Sequence, residues 1–184
     1  GVLVDSEGIS IRVLNEMADA IGAKITTNYA HEHFTGNSLM RVLEIIEEEF
    51  GHPLPAHFEE EYRKRSFQAF KEEMQPIKGI PELLEKISIP FCVASSGPMN
   101  KIRLNLTTTG LIDKFENKMF SCYDIGKWKP NPAIFEHAAK TMGFLPTECA
   151  VIEDSLPGIR AATSGGFDVF GFATSKTQQA FEKE

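Results

Sequence analysis

From Pro76 onward, four short apolar runs alternate with helical stretches, and this alternation restricts the possible folds more than any other feature of the chain. The runs are Pro90 to Ala94, Met119 to Ser121, Cys149 to Ile152 and Asp168 to Phe172. Around them, Pro81 to Ile87, Asn100 to Thr109, Pro132 to Met142 and Pro157 to Ser164 carry helical spacing. Strands separated by helices pair in parallel, because each crossover helix returns the chain to the same end of the sheet. The predicted fold class is therefore α/β, with a Rossmann-like parallel sheet core.

Before Pro76 the pattern is helical throughout. Ile11, Leu14, Ala18 and Ile21 recur near i+3/i+4, and Gly22 stands where a helix would stop. Leu39, Val42, Leu43, Ile46 and Phe50 form a second apolar stripe, opened by Asn37 or Ser38 and closed at Gly51. A third helix is expected from about Pro55 to Met74, with Phe58, Tyr62 and Phe70 inward. Pro76-Ile-Lys-Gly79 reads as the hinge. The predicted domains are a core of residues 1–8 and 76–184, and an inserted α-helical domain of residues 9–75.

Charge divides along the same line. The chain holds 19 basic and 26 acidic side chains for a formal charge of −7, which argues against nucleic acid as its main partner. Residues 8–75 hold 7 basic and 12 acidic side chains, whereas residues 76–184 hold 12 of each. The α/β part can thus host an anion. Glu47-Glu48-Glu49 and Glu59-Glu60-Glu61 are expected to be solvated helix faces. No run approaches the roughly 20 apolar residues of a membrane span, and the first residues carry no basic stretch of a secretory signal. Cys92, Cys122 and Cys149 are odd in number and form no CxxC pair, which speaks against disulfides or a zinc knuckle. A cytoplasmic, monomeric protein with no membrane partner is expected.

Ligands of open parallel sheets bind beyond the carboxyl ends of the strands, and three chemically distinctive groups fall there. Ser95-Ser96-Gly97 follows the first run, and a hydroxyl with backbone N–H groups ahead of a helix makes an anion site. The same tripeptide also serves as an ordinary turn and cap. Lys129, fixed by Pro130, can neutralise a phosphate as a compact charge, with Lys127 as its rival. Glu153-Asp154 follows the third run, and adjacent carboxylates at a strand end suit Mg²⁺, which takes oxygen ligands and substrate phosphate. Asp154-Ser155 could instead simply cap the next helix. Together, in this order, the three groups are far more specific than any one of them.

These motifs identify the sequence as similar to the haloacid dehalogenase superfamily of phosphatases and phosphomutases. Gly1-Val-Leu-Val-Asp-Ser-Glu7 resembles the tail of its first motif and Val93-Ala-Ser-Ser96 its second. Lys129-Pro-Asn-Pro132 resembles the third, and Val151-Ile-Glu-Asp-Ser-Leu-Pro-Gly158 the fourth. The helical block resembles the cap of the β-phosphoglucomutase-like branch. Phe120 to Pro130 is close to bacterial sugar-phosphate phosphatases, the 6-phosphogluconate type above all.

The resemblance implies a Mg²⁺-dependent phosphatase of small phosphorylated metabolites, sugar phosphates first among them, working through an aspartyl-phosphate. It implies Ser95 and Lys129 as catalytic residues and Asp154 with Glu153 as metal ligands. Ser96, Gly97 and Asn100 would contact substrate in the core, with Lys101 beside them; Thr35, Gly36 and Asn37 would do so from the cap. The first motif is Asp-x-Asp-Gly, so the nucleophilic and acid/base aspartates, with the central strand they end, are expected immediately before Gly1. A further helix and strand are expected after Phe172. Gly1 should lie near Asp154, Ser95 and Lys129. His31 and His33 are expected to be exposed loop residues rather than metal ligands, and Trp128 to pack near Lys129. Two other readings stand beside the phosphatase. The first is a phosphomutase, disfavoured because Thr35-Gly-Asn-Ser-Leu39 lacks an arginine after its serine, Arg41 being shifted. The second is a non-catalytic phosphate-binding domain.

Overall fold

The computed structural model describes residues 1–34 and 37–173, and the chain divides into two compact units, residues 5–75 and residues 1–4 with 76–184. The first crossing thus lies four residues before the expected 8/9 boundary, because the first helix already begins at Glu7.

The helical unit contains α1 (Glu7–Ala20), α2 (Thr27–Phe34), α3 (Leu39–Phe50) and α4 (Phe58–Glu73). Ile11, Val13, Leu14, Met17 and Ala18 bury one side of α1. They pack with Ala30 and Phe34 of α2, Val42, Ile45 and Ile46 of α3, and Phe58, Tyr62 and Ala69 of α4. Burial of such stripes, rather than intrinsic propensity, stabilises short helices. Ser38 is the cap of α3, its hydroxyl accepting the Arg41 N–H at 3.3 Å. Arg12 ties α1 to α4, donating to Glu16 at 3.0 Å and Glu73 at 2.6 Å. α2 corrects an expectation: His31 and His33 lie on a helix, not in a loop. Its apolar signal is only Ala30 and Phe34, too sparse to reveal a helix by periodicity.

The other unit contains α5 (Ile80–Lys86), β1 (Val93–Ser95), α6 (Met99–Thr108), β2 (Met119–Ser121), α7 (Cys122–Ile125), α8 (Ala133–Met142), β3 (Ala150–Glu153), α9 (Leu156–Ser164) and β4 (Asp168–Gly171). All pairings are parallel: β1 with β2, Ser95 opposite Ser121, and β3 with β4, Glu153 opposite Gly171. The described strands form two two-stranded sheets, without a ladder joining β1 to β3. By the sequence, the strands near 89–94 and 149–153 share a partner expected before Gly1, which calls for no direct ladder between β1 and β3. α8 and α9 bury Ile134, Phe135, Ala138, Ala161 and Ala162 with Phe120, Cys122 and Phe167. Leu3 accepts the Ile77 N–H at 2.9 Å and Val4 bridges Pro76, so the two crossings lie side by side. Among the described residues no helix is long and apolar enough to cross a membrane.

Candidate active site

The groups singled out in the sequence stand at and beside the carboxyl ends of β1 and β3. Lys129, in the loop before α8, sends Nζ to the Ala94 carbonyl at 3.4 Å and to Glu153 Oε1. The two side chains of this ion pair are 9% and 7% exposed. The same ammonium lies 4.7 Å from the centroid of the Phe135 ring, a cation–π contact that helps hold it. Lys127, by contrast, is exposed.

Glu153 is fully engaged. Its Oε2 accepts the backbone N–H of Asp154 at 3.1 Å, that of Ser155 at 3.1 Å and the Ser155 hydroxyl at 2.9 Å. Ser155 in turn caps α9, accepting the Gly158 N–H at 3.2 Å. These bonds compensate the cost of burying a carboxylate. Gly158 is required by the same packing, since a Cβ there would overlap the Glu153 carboxylate. The sequence pairs Glu153 with a metal; the partner it finds here is Lys129, brought from 24 residues away.

Asp154 is the open carboxylate, its side chain 26% exposed, with Oδ2 at 3.2 Å from the Gly1 backbone nitrogen. A Cβ on residue 1 would meet this carboxylate, which would then have to shift. Gly1 thus meets Asp154, while Lys129 joins Glu153 to the carbonyl just before Ser95. Among the described residues no group of three or more His, Cys, Asp or Glu side chains is gathered to hold a metal ion.

Ser95 Oγ accepts the Gly97 N–H at 3.1 Å, which turns the loop after β1 back toward the strand end. Asn100 Oδ1 accepts the Lys101 N–H at 2.8 Å, a bond local to the first turn of α6. Cys122, fully buried, lies beneath this loop: burial pushes its thiol up, opposed by a hydrogen bond from Ser96 and the Lys129 charge. Trp128 packs edge-to-face on Tyr123, ring centroids 5.2 Å apart. In the helical unit Asn37 Nδ2 donates to the His33 carbonyl at 2.7 Å, closing the end of α2. Thr35, Gly36 and the polar segment 174–184 lie outside the described residues.

Sequence reasoning gave no site role to Ser121, read as the end of an apolar run, or to Cys122, read as one of three unpaired cysteines. Their signal is visible once β2 is placed beside β1, because both then sit directly under the Ser95 loop.

Comparison with known proteins agrees in direction. A family model described as "Haloacid dehalogenase-like hydrolase" matches residues 1–172. The 6-phosphogluconate phosphatase of Escherichia coli is 35% identical over 173 residues, 94% of this chain and 78% of that protein. A haloacid dehalogenase-like protein of unknown function from Agrobacterium tumefaciens superposes with a TM-score of 0.85 at 29% identity, over 99% of this chain and 86% of that one. A hydrolase of the same family from Deinococcus radiodurans, solved with bound phosphate and sodium, gives 0.75 at 28% identity, over 93% and 76%.

Proposed function

Because the chain belongs to the haloacid dehalogenase-like hydrolases, we propose that its site hydrolyses the phosphate ester of a small phosphorylated carbohydrate, with Mg²⁺ as cofactor. The observation that carries this reading is the buried Lys129–Glu153 pair, which sets one fixed cation at the ends of two parallel strand pairs. A second support is the phosphate held by the Deinococcus relative.

In this reading each group has a task that phosphoryl transfer demands, namely positioning and charge stabilisation. Ser95, whose hydroxyl accepts from the Gly97 N–H and can still donate, and the backbone N–H of Ser96 receive the phosphoryl oxygens at the end of β1. Lys129 faces the same oxygens, held in place by Glu153 so that its charge needs no reorganisation during reaction. Asp154 fits Mg²⁺: it is a hard-oxygen ligand left open on one side, and this ion takes one or two carboxylates and completes its shell with substrate phosphate and water. Glu153 supports that ligand from behind through its bond to the Asp154 N–H. When bound, Mg²⁺ supplies charge neutralisation at the phosphoryl group.

The nucleophile in this reading is a carboxylate immediately before Gly1. It attacks phosphorus, the bond to the ester oxygen breaks, and the departing oxygen takes a proton from a neighbouring acid. Water then cleaves the acyl phosphate to free phosphate. In the core unit Asn100, in the first turn of α6, is the candidate for substrate choice.

The test is phosphate release from a panel of sugar phosphates, 6-phosphogluconate among them, by the full-length protein with Mg²⁺ and with chelator. Release that needs Mg²⁺ and is lost in Asp154→Asn supports the reading. The absence of release from every member of the panel sinks it.

A further inference from the structure

Ser121 ends β2 and is only 1% exposed, yet its hydroxyl makes two hydrogen bonds. Oγ accepts the Tyr123 N–H at 3.1 Å, which caps α7, and donates to the Gly97 carbonyl at 2.7 Å, 24 residues away. The first bond is what any N-cap serine does. The second is not a capping bond. It reaches sideways from β2 to the loop after β1, and the Gly97 N–H continues the chain by donating to Ser95 Oγ. The parallel register sets Ser121 opposite Ser95, so the relay spans one strand spacing without slack.

A buried hydroxyl is worth keeping only while its bonds are made, and its removal leaves two part-buried backbone groups without this partner, the Tyr123 N–H and the Gly97 carbonyl. The loss at the Gly97 carbonyl falls on the Ser95–Gly97 turn. The next residue acts in the same direction, since the Cys122 sulfur is met by the Ser96 hydroxyl and the Lys129 backbone N–H. One dipeptide at the end of β2 thus supports both the Ser95 loop and the Lys129 loop.

We propose that Ser121 is a positioning residue for phosphoryl binding: through Gly97 it fixes the Ser95 hydroxyl and the Ser96 N–H at the spacing that receives phosphate oxygens. This rests on the phosphatase reading of the site.

The test uses the full-length protein and inorganic phosphate as the probe, with affinity read by calorimetry and Gly97 amide exchange by NMR. Ser121→Ala should weaken phosphate binding about tenfold, as expected for one lost hydrogen bond and its stranded partner, and should speed Gly97 exchange. Ser121→Thr should restore both. Ser164→Ala removes another side chain-to-backbone bond, to Ala161 at 3.0 Å, and should leave phosphate affinity unchanged, which separates positioning from general loss of stability. Should Ser121→Ala not fold, Ser121→Cys, nearly isosteric with a weaker donor, should show a partial loss of affinity. Unchanged affinity in either variant, while wild type binds phosphate, overturns this inference alone. A wild type that binds no phosphate overturns the phosphatase reading and this role with it.

Discussion

Lys129 Nζ rests on Glu153 Oε1 in a pair whose side chains are 9% and 7% exposed, so each is the countercharge of the other. Removing one partner of a buried pair costs about 3 kcal/mol or more, because the survivor is left uncompensated. Lys129→Met should therefore destabilise the protein by about that much, and Glu153→Gln by less, since the amide can still accept from Ser155 and the Asp154 N–H. The double variant should recover a large part of the loss. Denaturant unfolding of the four proteins measures this; simple additivity of the two single effects would show that the pair is not coupled.

Two glycines make opposite predictions. At Gly158 a Cβ would overlap the Glu153 carboxylate, so Gly158→Ala must push Glu153, and Lys129 with it, out of position. A cost of about 1–3 kcal/mol is expected from such overpacking, with phosphatase activity falling further than stability accounts for. At Gly8, in the first turn of α1, a Cβ meets nothing within 4 Å. Gly8→Ala should stabilise by about 0.5 kcal/mol through helix propensity and leave activity alone. Thermal melts and rates on the same samples check both.

The strand ends were legible in the sequence because parallel α/β topology makes "after an apolar run" a spatial statement. Ser95 and Glu153 stand at the ends of β1 and β3, where that reading puts them, and Lys129 reaches the same place from the loop before α8. The partnership of Lys129 with Glu153 was not legible, since nothing local distinguishes a carboxylate that binds a cation from one that holds a lysine. α2 was hidden because its two buried residues, Ala30 and Phe34, form a single i,i+4 contact amid polar neighbours. Ser121 was hidden for another reason. A serine closing a strand resembles a turn residue until the register places it opposite Ser95.

Arg41 bears on the choice between hydrolase and mutase. Its guanidinium donates to Glu44 at 2.9 Å and Glu48 at 3.0 Å, both on its own helix α3. An arginine neutralised by two carboxylates is a poor partner for a second phosphate group. Arg41→Ala should leave the rate of phosphate release within twofold and the unfolding midpoint nearly unchanged, exposed pairs of this kind contributing little. With a bisphosphate primer, wild type should yield free phosphate and no isomerised sugar phosphate. Chromatographic detection of an isomer that disappears in Arg41→Ala would instead favour a mutase.

Cys92, just before β1, gives a pH prediction. Burial first, and then the neighbouring Cys149, push its thiol from 9.0 up to about 11 in the folded state. Below pH 9 the thiol is neutral in both folded and unfolded chains, and the folded state keeps its full advantage. Between 9 and about 11 the unfolded chain ionises first, so stability falls as pH rises through that window. Cys92→Ala should flatten this part of the stability curve. Tyr62 in the helical unit, raised above its usual 10.0 by burial, keeps its own contribution in the variant. A local readout isolates the thiol. At pH 8 native Cys92 should react with iodoacetamide about a hundredfold more slowly than in denaturant, because two pKa units reduce the thiolate by that factor. Mass spectrometry of the labelled peptide measures the rate, and equal rates in the folded and unfolded protein would show that Cys92 is not shielded.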